Sequence, residues 1–255
     1  MQNKGDALIG YTGFVGSNIL AQRPFNLLYN SKNIAEIQGK NFDTVVCAGA
    51  PGTKWIANKN PEADLASIQS LINNLKTIKC NKFVLISTID VYPQPLTGYD
   101  EDSAIDDDKL TPYGRHRHLL EQFVQDTFDS LIIRLPGIYG QGLKKNVIFD
   151  LLNKVPVTIN PQSQLQFYWL KYIWADIQKA LDNNLKVLNF AVEPVELEQI
   201  AKEVFGISIK GNEDKPPAQY DMRTKYASLW AMGTPYLYSK DDILKHLKTF
   251  KKTAA

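Results

Sequence analysis

Residues that build disulfide frameworks and metal centres are scarce in this sequence. It contains two cysteines, Cys47 and Cys80, and three histidines among 255 residues. Two cysteines are too few for a disulfide framework, and no His-rich or Cys-rich cluster has the spacing of metal ligands. We therefore expect no bound metal, and we place Cys47, which lies in an apolar run, in the core.

Long hydrophobic runs are also missing. No apolar stretch is long enough to cross a bilayer. The N-terminal segment lacks the apolar region of a signal peptide. These absences predict a soluble, cytoplasmic protein that does not bind membranes.

The net charge is small. Lys and Arg total 29 against 27 Asp and Glu, a formal net charge of +2. Proteins that hold nucleic acid by its phosphates usually carry a larger or more clustered positive surplus. Lysines do crowd the C-terminus, but Asp241 and Asp242 stand among them, which is typical of a solvated final helix. We expect a small-molecule substrate as the partner and no nucleic acid, and a homodimer is left open.

What the sequence does contain is an alternation of short apolar runs with longer helical patterns. The predicted strands are Ala7–Gly10, Phe25–Tyr29, Thr44–Ala48, Phe83–Ser87, Leu131–Arg134 and Val187–Ala191. The predicted helices are Val15–Gln22, Pro61–Ile78, Tyr113–Phe128 and Ile173–Leu181. Strands that are apolar throughout are typical of a parallel sheet covered on both faces. The fold class is therefore α/β, with a Rossmann-type doubly wound parallel sheet.

The alternation also predicts how the chain divides. We assign residues 1–136, completed by about 167–191, to a dinucleotide-binding Rossmann core, and residues 137–166 and 192–255 to a small C-terminal substrate lobe. The acidic stretch Asp100–Asp108 is expected to be a flexible, solvated loop. In the helix that begins at Pro61, Glu62 and Asp64 occupy the first turn, where the helix dipole favours anions.

The first predicted strand runs into three glycines just where a helix begins. Glycine permits the tight turn and lets the backbone approach a pyrophosphate, and the helix N-terminus supplies N–H groups and partial positive charge. A glycine triplet can also be an ordinary turn, but its place after the first strand of an α/β chain favours a dinucleotide site. The residues expected to bind the cofactor here are Gly10, Thr12, Gly13, Phe14, Val15 and Gly16.

The end of the second predicted strand bears on the choice of cofactor. An acidic residue at this point would bind the ribose 2′-OH of NAD, and none is present. Asn30, Ser31 and Lys32 stand there instead, and the last two suit a 2′-phosphate. The sequence therefore predicts NADP or NAD, with NADP preferred.

Further motifs follow in order along the chain. They are Phe42–Ala50, Phe83–Tyr92, Pro112–Arg117, Arg134–Gly140, and Val187–Ala191 followed by Pro194–Phe205. Together with the glycine loop, this series resembles the extended short-chain dehydrogenase/reductases, the NAD-dependent epimerase/dehydratase-like family. The resemblance covers most of the chain and implies that Ala48, Gly49, Ala50 and Pro136 also contact the cofactor.

The resemblance also implies a set of catalytic residues. Thr88 falls at the position of the family's catalytic Ser or Thr, and Tyr113 and Arg117 fall where the family has Tyr-x-x-x-Lys. Tyr113 and Arg117 are four positions apart and share a helix face. A free tyrosine has a pKa of about 10, and a nearby cation lowers such a value by roughly 1–3 units. We therefore expect Arg117 to move the pKa of Tyr113 toward neutrality.

The sequence departs from the family in three places. Arg117 replaces a lysine, and the two side chains differ in bulk and donor geometry. Ile89 stands where dehydratases of the family have an Asp, so dehydration is not expected. Leu165 stands where the family often has a diphosphate-binding Arg. The substrate-binding residues proposed instead are Asp90, Lys144, Lys145, Asn146 and Arg223.

Two neighbours of the tyrosine motif, Arg115 and His116, are expected on the surface, because helical geometry points them away from the face of Tyr113.

Two function classes remain. The first is an NAD(P)-dependent oxidoreductase or epimerase acting on a carbonyl or hydroxyl of a small polar substrate such as a (nucleotide) sugar. The alternative is a non-catalytic NAD(P)-binding sensor or scaffold protein, which the missing lysine favours. Retention of both Thr88 and Tyr113 argues for the enzyme.

Overall fold

The computed structural model describes residues 5–254 of the chain. Its strands are β1 (Ala7–Ile9), β2 (Leu27–Tyr29), β3 (Asn41–Cys47), β4 (Lys79–Thr88), β5 (Ser130–Leu135), β6 (Gly137–Tyr139), β7 (Gln164–Leu165), β8 (Phe167–Trp169), β9 (Val187–Asn189) and β10 (Val195–Glu196). Its α-helices are α1 (Phe14–Leu20), α2 (Lys54–Lys59), α3 (Pro61–Leu75), α4 (Pro112–Thr127), α5 (Val147–Asn153), α6 (Ile173–Asp182), α7 (Leu197–Ile200) and α8 (Lys240–Ala254). A π-helix, Ala201–Phe205, continues α7.

Six strands form one sheet in the order β2-β1-β3-β4-β5-β9. The pairs of β1 with β2, β1 with β3 and β3 with β4 are parallel. All three residues of β1 and all six of β5 are buried, because helices cover both faces of the sheet. This confirms the predicted Rossmann-type fold.

The six predicted strands are the six strands of this sheet, and the four predicted helices are α1, α3, α4 and α6. Their ends differ from prediction by only a few residues. Cys47 is fully buried in the core, as expected. The chain reverses its direction of strand addition between β1 and β3, and in sheets of this kind ligands bind at such a switch point, beyond the carboxyl ends of the strands.

The chain divides into two compact units. The first comprises residues 1–94, 104–134 and 171–188, and the second comprises residues 95–103, 135–170 and 189–255. The first holds nearly all of the six-stranded sheet. That the second unit binds substrate stays a prediction. No helix among residues 5–254 has the length and apolar character needed to span a membrane.

The second unit includes residues 95–103, which the sequence placed in the core. Glu101 explains their position, because its carboxylate accepts hydrogen bonds from Asn189 N at 2.8 Å, Thr224 Oγ1 at 2.7 Å and Lys225 N at 3.0 Å. The expectation of a wholly solvated loop at Asp100–Asp108 is therefore wrong at Glu101. Burial raises the pKa of Glu101, although these hydrogen bonds lower it.

Candidate functional site

The glycine loop leaves the carboxyl end of β1 at the switch point. Gly10 has a φ of +82°, and a Cβ there would lie 2.3 Å from the carbonyl oxygen of Ala48, so only glycine fits. The loop closes through a hydrogen bond from Gly13 N to Gly10 O at 2.9 Å, and α1 begins at the next residue. The loop is thus held against the turn that follows β3.

The chemistry of this loop fits a dinucleotide phosphate. Thr12 and Gly13 are exposed. The first N–H groups of α1, at Phe14 and Val15, have no carbonyl of their own helix to bond. Gly16 lies in the same first turn and is buried, so the helix approaches the loop closely. A backbone with outward N–H groups and no bulky side chain is suited to bind a pyrophosphate.

The other predicted cofactor residues lie at the ends of neighbouring strands. Gly49 and Ala50 follow β3, and Pro136 directly follows β5 and is buried. Asn30 follows β2, where its amide donates to Tyr11 Oη at 3.2 Å and its Oδ1 accepts from Lys32 N at 2.8 Å. Ser31 and Lys32 are exposed. Their contacts with a cofactor stay a prediction.

Thr88 is the last residue of β4 and caps the 3₁₀ turn that follows. Its Oγ1 accepts a hydrogen bond from Asp90 N at 3.2 Å, and it lies 3.3 Å from Asp90 Oδ2. Asp90 in turn forms an ion pair with Lys54 at the start of α2, with Nζ 2.6 Å from Oδ1. The side chain of Ile89 between them is buried and apolar.

Tyr113 reaches Thr88 because the first turn of α4 packs directly on this 3₁₀ turn. Thr111 caps α4 and Pro112 opens it, which is a favoured helix start. A Cβ on Gly114 would lie 2.0 Å from Asp90 O, so the glycine allows the close approach. Tyr113 N donates to Asn58 Oδ1 at 3.0 Å, and the Thr88 hydroxyl lies near enough to the phenol to lower the pKa of Tyr113.

The electrostatics of Tyr113 differ from the expectation. Burial raises the pKa of Tyr113 above its usual value, and the nearby Asp90 carboxylate raises it further. Arg117, Thr88 and Lys54 lower this pKa but do not outweigh burial. The predicted shift of Tyr113 toward neutrality is therefore wrong for the protein without ligands, since desolvation disfavours the phenolate more than the cations favour it.

Arg117 lies beneath Tyr113 and is almost fully buried. Its guanidinium carbon is 3.9 Å from the centroid of the Tyr113 ring. The two Nη atoms form a bidentate ion pair with Asp64, with Nη2 2.9 Å from Oδ1 and a second, shorter contact between Nη1 and Oδ2. His116 Nδ1 contacts the same Asp64 Oδ2 at 2.7 Å. His116 is buried, so its expected surface position is wrong, whereas Arg115 is exposed as expected.

A second buried ion pair fixes α4 against the sheet one turn further on. Arg134 on β5 donates to Glu121 through Nη2 at 2.7 Å, and its Nη1 lies 2.5 Å from the Tyr92 hydroxyl. Ser87 donates a short hydrogen bond to Glu121 Oε1. The register of α4 relative to β4 follows from these contacts, and with it the position of Tyr113.

Three residues of the site were not found from the sequence. Asp64 was interpreted only as a dipole-complementing residue of α3, and Lys54 and Asn58 belong to α2, a helix that was not predicted. A buried arginine in α4 requires a counter-charge, which is the signal that would have pointed to an acidic partner. No comparable signal marks Lys54.

The remaining predicted residues lie in the second unit. Lys144 and Lys145 are exposed. Asn146 has a φ of +124° and caps α5, accepting from Ile148 N and Phe149 N at 3.0 and 3.1 Å. Arg223 is exposed and pairs with Asp221 at 2.8 Å. Their roles toward a substrate stay predictions. Among residues 5–254, no three His, Cys, Asp or Glu side chains are grouped for a metal.

Comparison with known proteins places these features in context. A model of the NAD dependent epimerase/dehydratase family matches residues 24–159, more than half of the chain. A search of curated protein sequences gave no significant match.

Solved structures share the fold over nearly the whole chain. A UDP-N-acetylglucosamine 4-epimerase from Methanobrevibacter ruminantium M1, in complex with UDP-N-acetylmuramic acid, has a TM-score of 0.75 at 14% identity, covering 99% of this chain and 98% of its own. A dTDP-4-dehydrorhamnose reductase from Bacillus anthracis str. Ames, in complex with NADP, has a TM-score of 0.75 at 15% identity and 98% coverage of each chain. A UDP-glucuronic acid 4-epimerase from Bacillus cereus, in complex with NAD, has a TM-score of 0.69 at 16% identity, covering 97% of this chain and 95% of its own.

Proposed function

Because this chain belongs to the NAD-dependent epimerase/dehydratase family, we propose that it is an NAD(P)-dependent oxidoreductase or epimerase. The substrate we propose is a small polar molecule with a reacting carbonyl or hydroxyl, such as a nucleotide sugar. Solved structures with similar folds contain bound UDP-glucose, NADP or NAD. We propose that the chain works in the cytoplasm.

One observation carries the proposal. The hydroxyls of Thr88 and Tyr113 lie together at the carboxyl end of β4, where Thr88 lowers the pKa of the Tyr113 phenol, on the same edge of the sheet as the glycine loop after β1. A purely dinucleotide-binding protein has no need of such a pair. In an enzyme, the Thr88 hydroxyl donates to the substrate oxygen, and Tyr113 gives or takes the proton there.

The other residues of the chain have supporting roles in this proposal. The backbone of residues 10–16 and the turn at residues 48–50 bind the cofactor, with Pro136 after β5, and Asn30, Ser31 and Lys32 contact its adenosine end. A bound nicotinamide would supply or accept the hydride. Asp90, Lys144, Lys145, Asn146 and Arg223 are proposed to contact the substrate. Arg117 tunes Tyr113 and orients the cofactor.

The chemistry proposed excludes elimination of water. Ile89 follows Thr88 directly, and its buried hydrocarbon side chain has no proton to give. Asp90 is held by Lys54 and by the Thr88 turn. The site therefore has hydroxyl groups for proton exchange with an oxygen, but no acid directly after Thr88, where dehydratases of the family have one.

The raised pKa of Tyr113 favours a second candidate, a non-catalytic NAD(P)-binding sensor or scaffold. A phenol that stays protonated is a poor general base, although it remains a competent acid. This candidate predicts cofactor binding without turnover. If the protein is an enzyme, the protonated Tyr113 favours reduction of a carbonyl, because that direction needs a proton donor.

Fluorescence titration with NADPH and NADH tests the cofactor. We expect both to bind and NADPH to bind more tightly, because Lys32 is exposed at the end of β2. The variant Lys32→Ala should weaken NADPH more than NADH. Failure of wild-type protein to bind either cofactor would exclude both candidates, and equal loss of both in Lys32→Ala would exclude a 2′-phosphate contact.

Turnover of a panel of ketosugars and nucleotide sugars distinguishes the candidates. Tyr113→Phe should lower kcat by about 10²–10⁴-fold, the usual contribution of a positioned acid or base. Tyr172→Phe is the matched control, because Tyr172 directly precedes α6, whose first turn contacts Gln22 beyond the C-terminal end of α1 through Trp174 N. Equal rates for wild type and Tyr113→Phe would remove Tyr113 from the mechanism, and binding with no turnover of any substrate would support the sensor.

A further inference from the structure

We propose that Asp64 is a positioning residue of this site, which holds the Arg117 guanidinium against the ring of Tyr113 as a stationary cation. The proposal rests on the assignment of Tyr113 as the proton-exchanging residue. It concerns how that residue is controlled, so its test requires neither cofactor nor substrate.

The hydrogen-bond partners of Arg117 show that it cannot move freely. Nη1 donates to Asp64 Oδ2 and to Tyr113 O, the latter at 3.3 Å, and Nη2 donates to Asp64 Oδ1 at 2.9 Å and to Pro51 O. These four bonds use all four Nη hydrogens. Only Nε has no partner among the described residues, and it is buried. Any contact of Arg117 with a bound cofactor would have to use Nε.

The guanidinium of Arg117 lies over the aromatic ring of Tyr113 while its N–H groups are bound by other residues. The donors point outward from the edge of the guanidinium plane, and Asp64 and the Pro51 carbonyl bind that edge. The guanidinium carbon then lies 3.9 Å from the Tyr113 ring centroid. A lysine has a single point of charge and cannot make this bidentate, stacked arrangement. The arginine at this position therefore depends on Asp64.

Asp64 itself is fixed from two sides. Its carboxylate is buried and contacts both Arg117 and His116, which are adjacent on α4. Burial raises the pKa of Asp64, but the hydrogen bonds from Arg117 and His116 outweigh it and hold this pKa below its usual value. Asp64 thus stays ionised and keeps its hold on Arg117.

Two further charged groups face Tyr113, and they belong to other elements. Asp90, in the turn after β4, raises the pKa of the phenol, and Lys54, at the start of α2, lowers it. These two form an ion pair with each other and partly cancel. Arg117 is the cation with the largest effect on the Tyr113 pKa. Releasing Arg117 from Asp64 should therefore raise the pKa of Tyr113.

The experiment replaces Tyr113 with 3,5-difluorotyrosine, whose phenol ionises nearer neutrality, and follows its titration by ¹⁹F NMR. The labelled protein is compared with labelled Asp64→Asn and with the labelled double variant Asp64→Leu/Arg117→Met. The double variant removes both charges of the buried pair, a replacement that proteins often tolerate, and so provides a folded sample if the single variant unfolds. Asp6→Asn is the control, because it breaks an ion pair with Arg23, which stacks on Phe25 and Trp174 instead.

We expect the phenol pKa to rise by about one unit or more in Asp64→Asn and in the double variant, since a cation near the ring is lost. Asp6→Asn should leave it unchanged. An unchanged pKa in the double variant would overturn the proposal, and so would a lowered pKa in folded Asp64→Asn, which would mean that Arg117 keeps its place without Asp64. Absence of cofactor binding or turnover would refute the proposed function and leave this result intact.

Discussion

Two buried arginine–carboxylate pairs each have one member on α4, one helical turn apart, and they differ in what surrounds them. Arg134 and Glu121 contact Ser87 and Tyr92, so the whole cluster joins α4 to β4 and β5. Arg117 and Asp64 contact Tyr113 and the turn after β3. The Arg134–Glu121 pair therefore holds α4 against the sheet, whereas the Arg117–Asp64 pair places a cation beside the Tyr113 phenol.

The comparison shows why burial alone does not identify a functional charge. Both carboxylates and both arginines are buried. Each arginine also lies over a tyrosine ring, at 4.9 Å from the Tyr92 centroid for Arg134 and 3.9 Å from the Tyr113 centroid for Arg117. What distinguishes them is the hydroxyl of that tyrosine, which accepts from Arg134 itself in Tyr92 and lies beside Thr88 in Tyr113. Variants that separate stability from the ionisation of Tyr113 test this difference.

The largest effect is expected on stability from Glu121→Gln. Glu121 is fully buried, and removing its charge leaves Arg134 uncompensated, which typically costs about 3–5 kcal/mol. Denaturant unfolding measures this loss. The ¹⁹F titration at position 113 should be unchanged in protein that remains folded. If Glu121→Gln shifted the Tyr113 pKa as much as the Asp64 variants do, the two pairs would not differ in their influence on Tyr113.

A smaller effect is expected from two adjacent residues of β4, of which Thr88 lies beside Tyr113 and Ser87 contacts Glu121. Thr88→Val should lower turnover by about 10²-fold, since a donor to the reacting oxygen is lost, with little change in stability. Ser87→Ala should leave turnover within a few-fold and lower the free energy of unfolding by about 1 kcal/mol, because Glu121 loses a hydrogen bond. Both variants are measured by turnover and by urea unfolding. A loss of turnover in Ser87→Ala together with a loss of stability in Thr88→Val would contradict the comparison.

Lys54→Met sharpens the comparison by removing the other cation near Tyr113. The Lys54 side chain is 39% exposed, so water screens its charge. We expect the phenol pKa at position 113, measured by ¹⁹F NMR, to rise by less in Lys54→Met than in the double variant Asp64→Leu/Arg117→Met. Lys54→Arg should restore the original pKa. A rise equal to that of the double variant would show that the buried pair has no special influence on Tyr113.

The smallest effect concerns acid stability. The pKa of Asp64 is lower in the folded protein than in the unfolded chain, so its ionised form adds stability above the unfolded value, and this contribution is lost as the pH falls through the folded value. As the pH falls below about 4, the free energy of unfolding of the wild type should fall more steeply than that of Asp64→Asn. Urea unfolding at a series of pH values measures this difference. The same pH dependence in wild type and Asp64→Asn would contradict the prediction.

Local patterns account for the part of the site that the sequence predicted. Gly10 is required by a strand-to-helix turn, and Thr88 and Tyr113 stand at the end of a strand and the start of a helix, where short motifs are visible. Asp64 and Lys54 come from other elements, 53 residues from Arg117 and 36 from Asp90 respectively. No local pattern marks such pairs, because the contact exists only when α2, α3 and α4 are packed together.

By itself, the sequence determined the fold class and the edge of the sheet where the site lies, since apolar periodicity and turn residues act over a few neighbouring positions. The tertiary structure alone decided the state of Tyr113 and the partner of Arg117. The pKa of a buried phenol depends on how much water is removed and on charges brought from distant segments. Burial therefore reversed the direction expected for Tyr113, and Asp64 determined where its nearest cation lies.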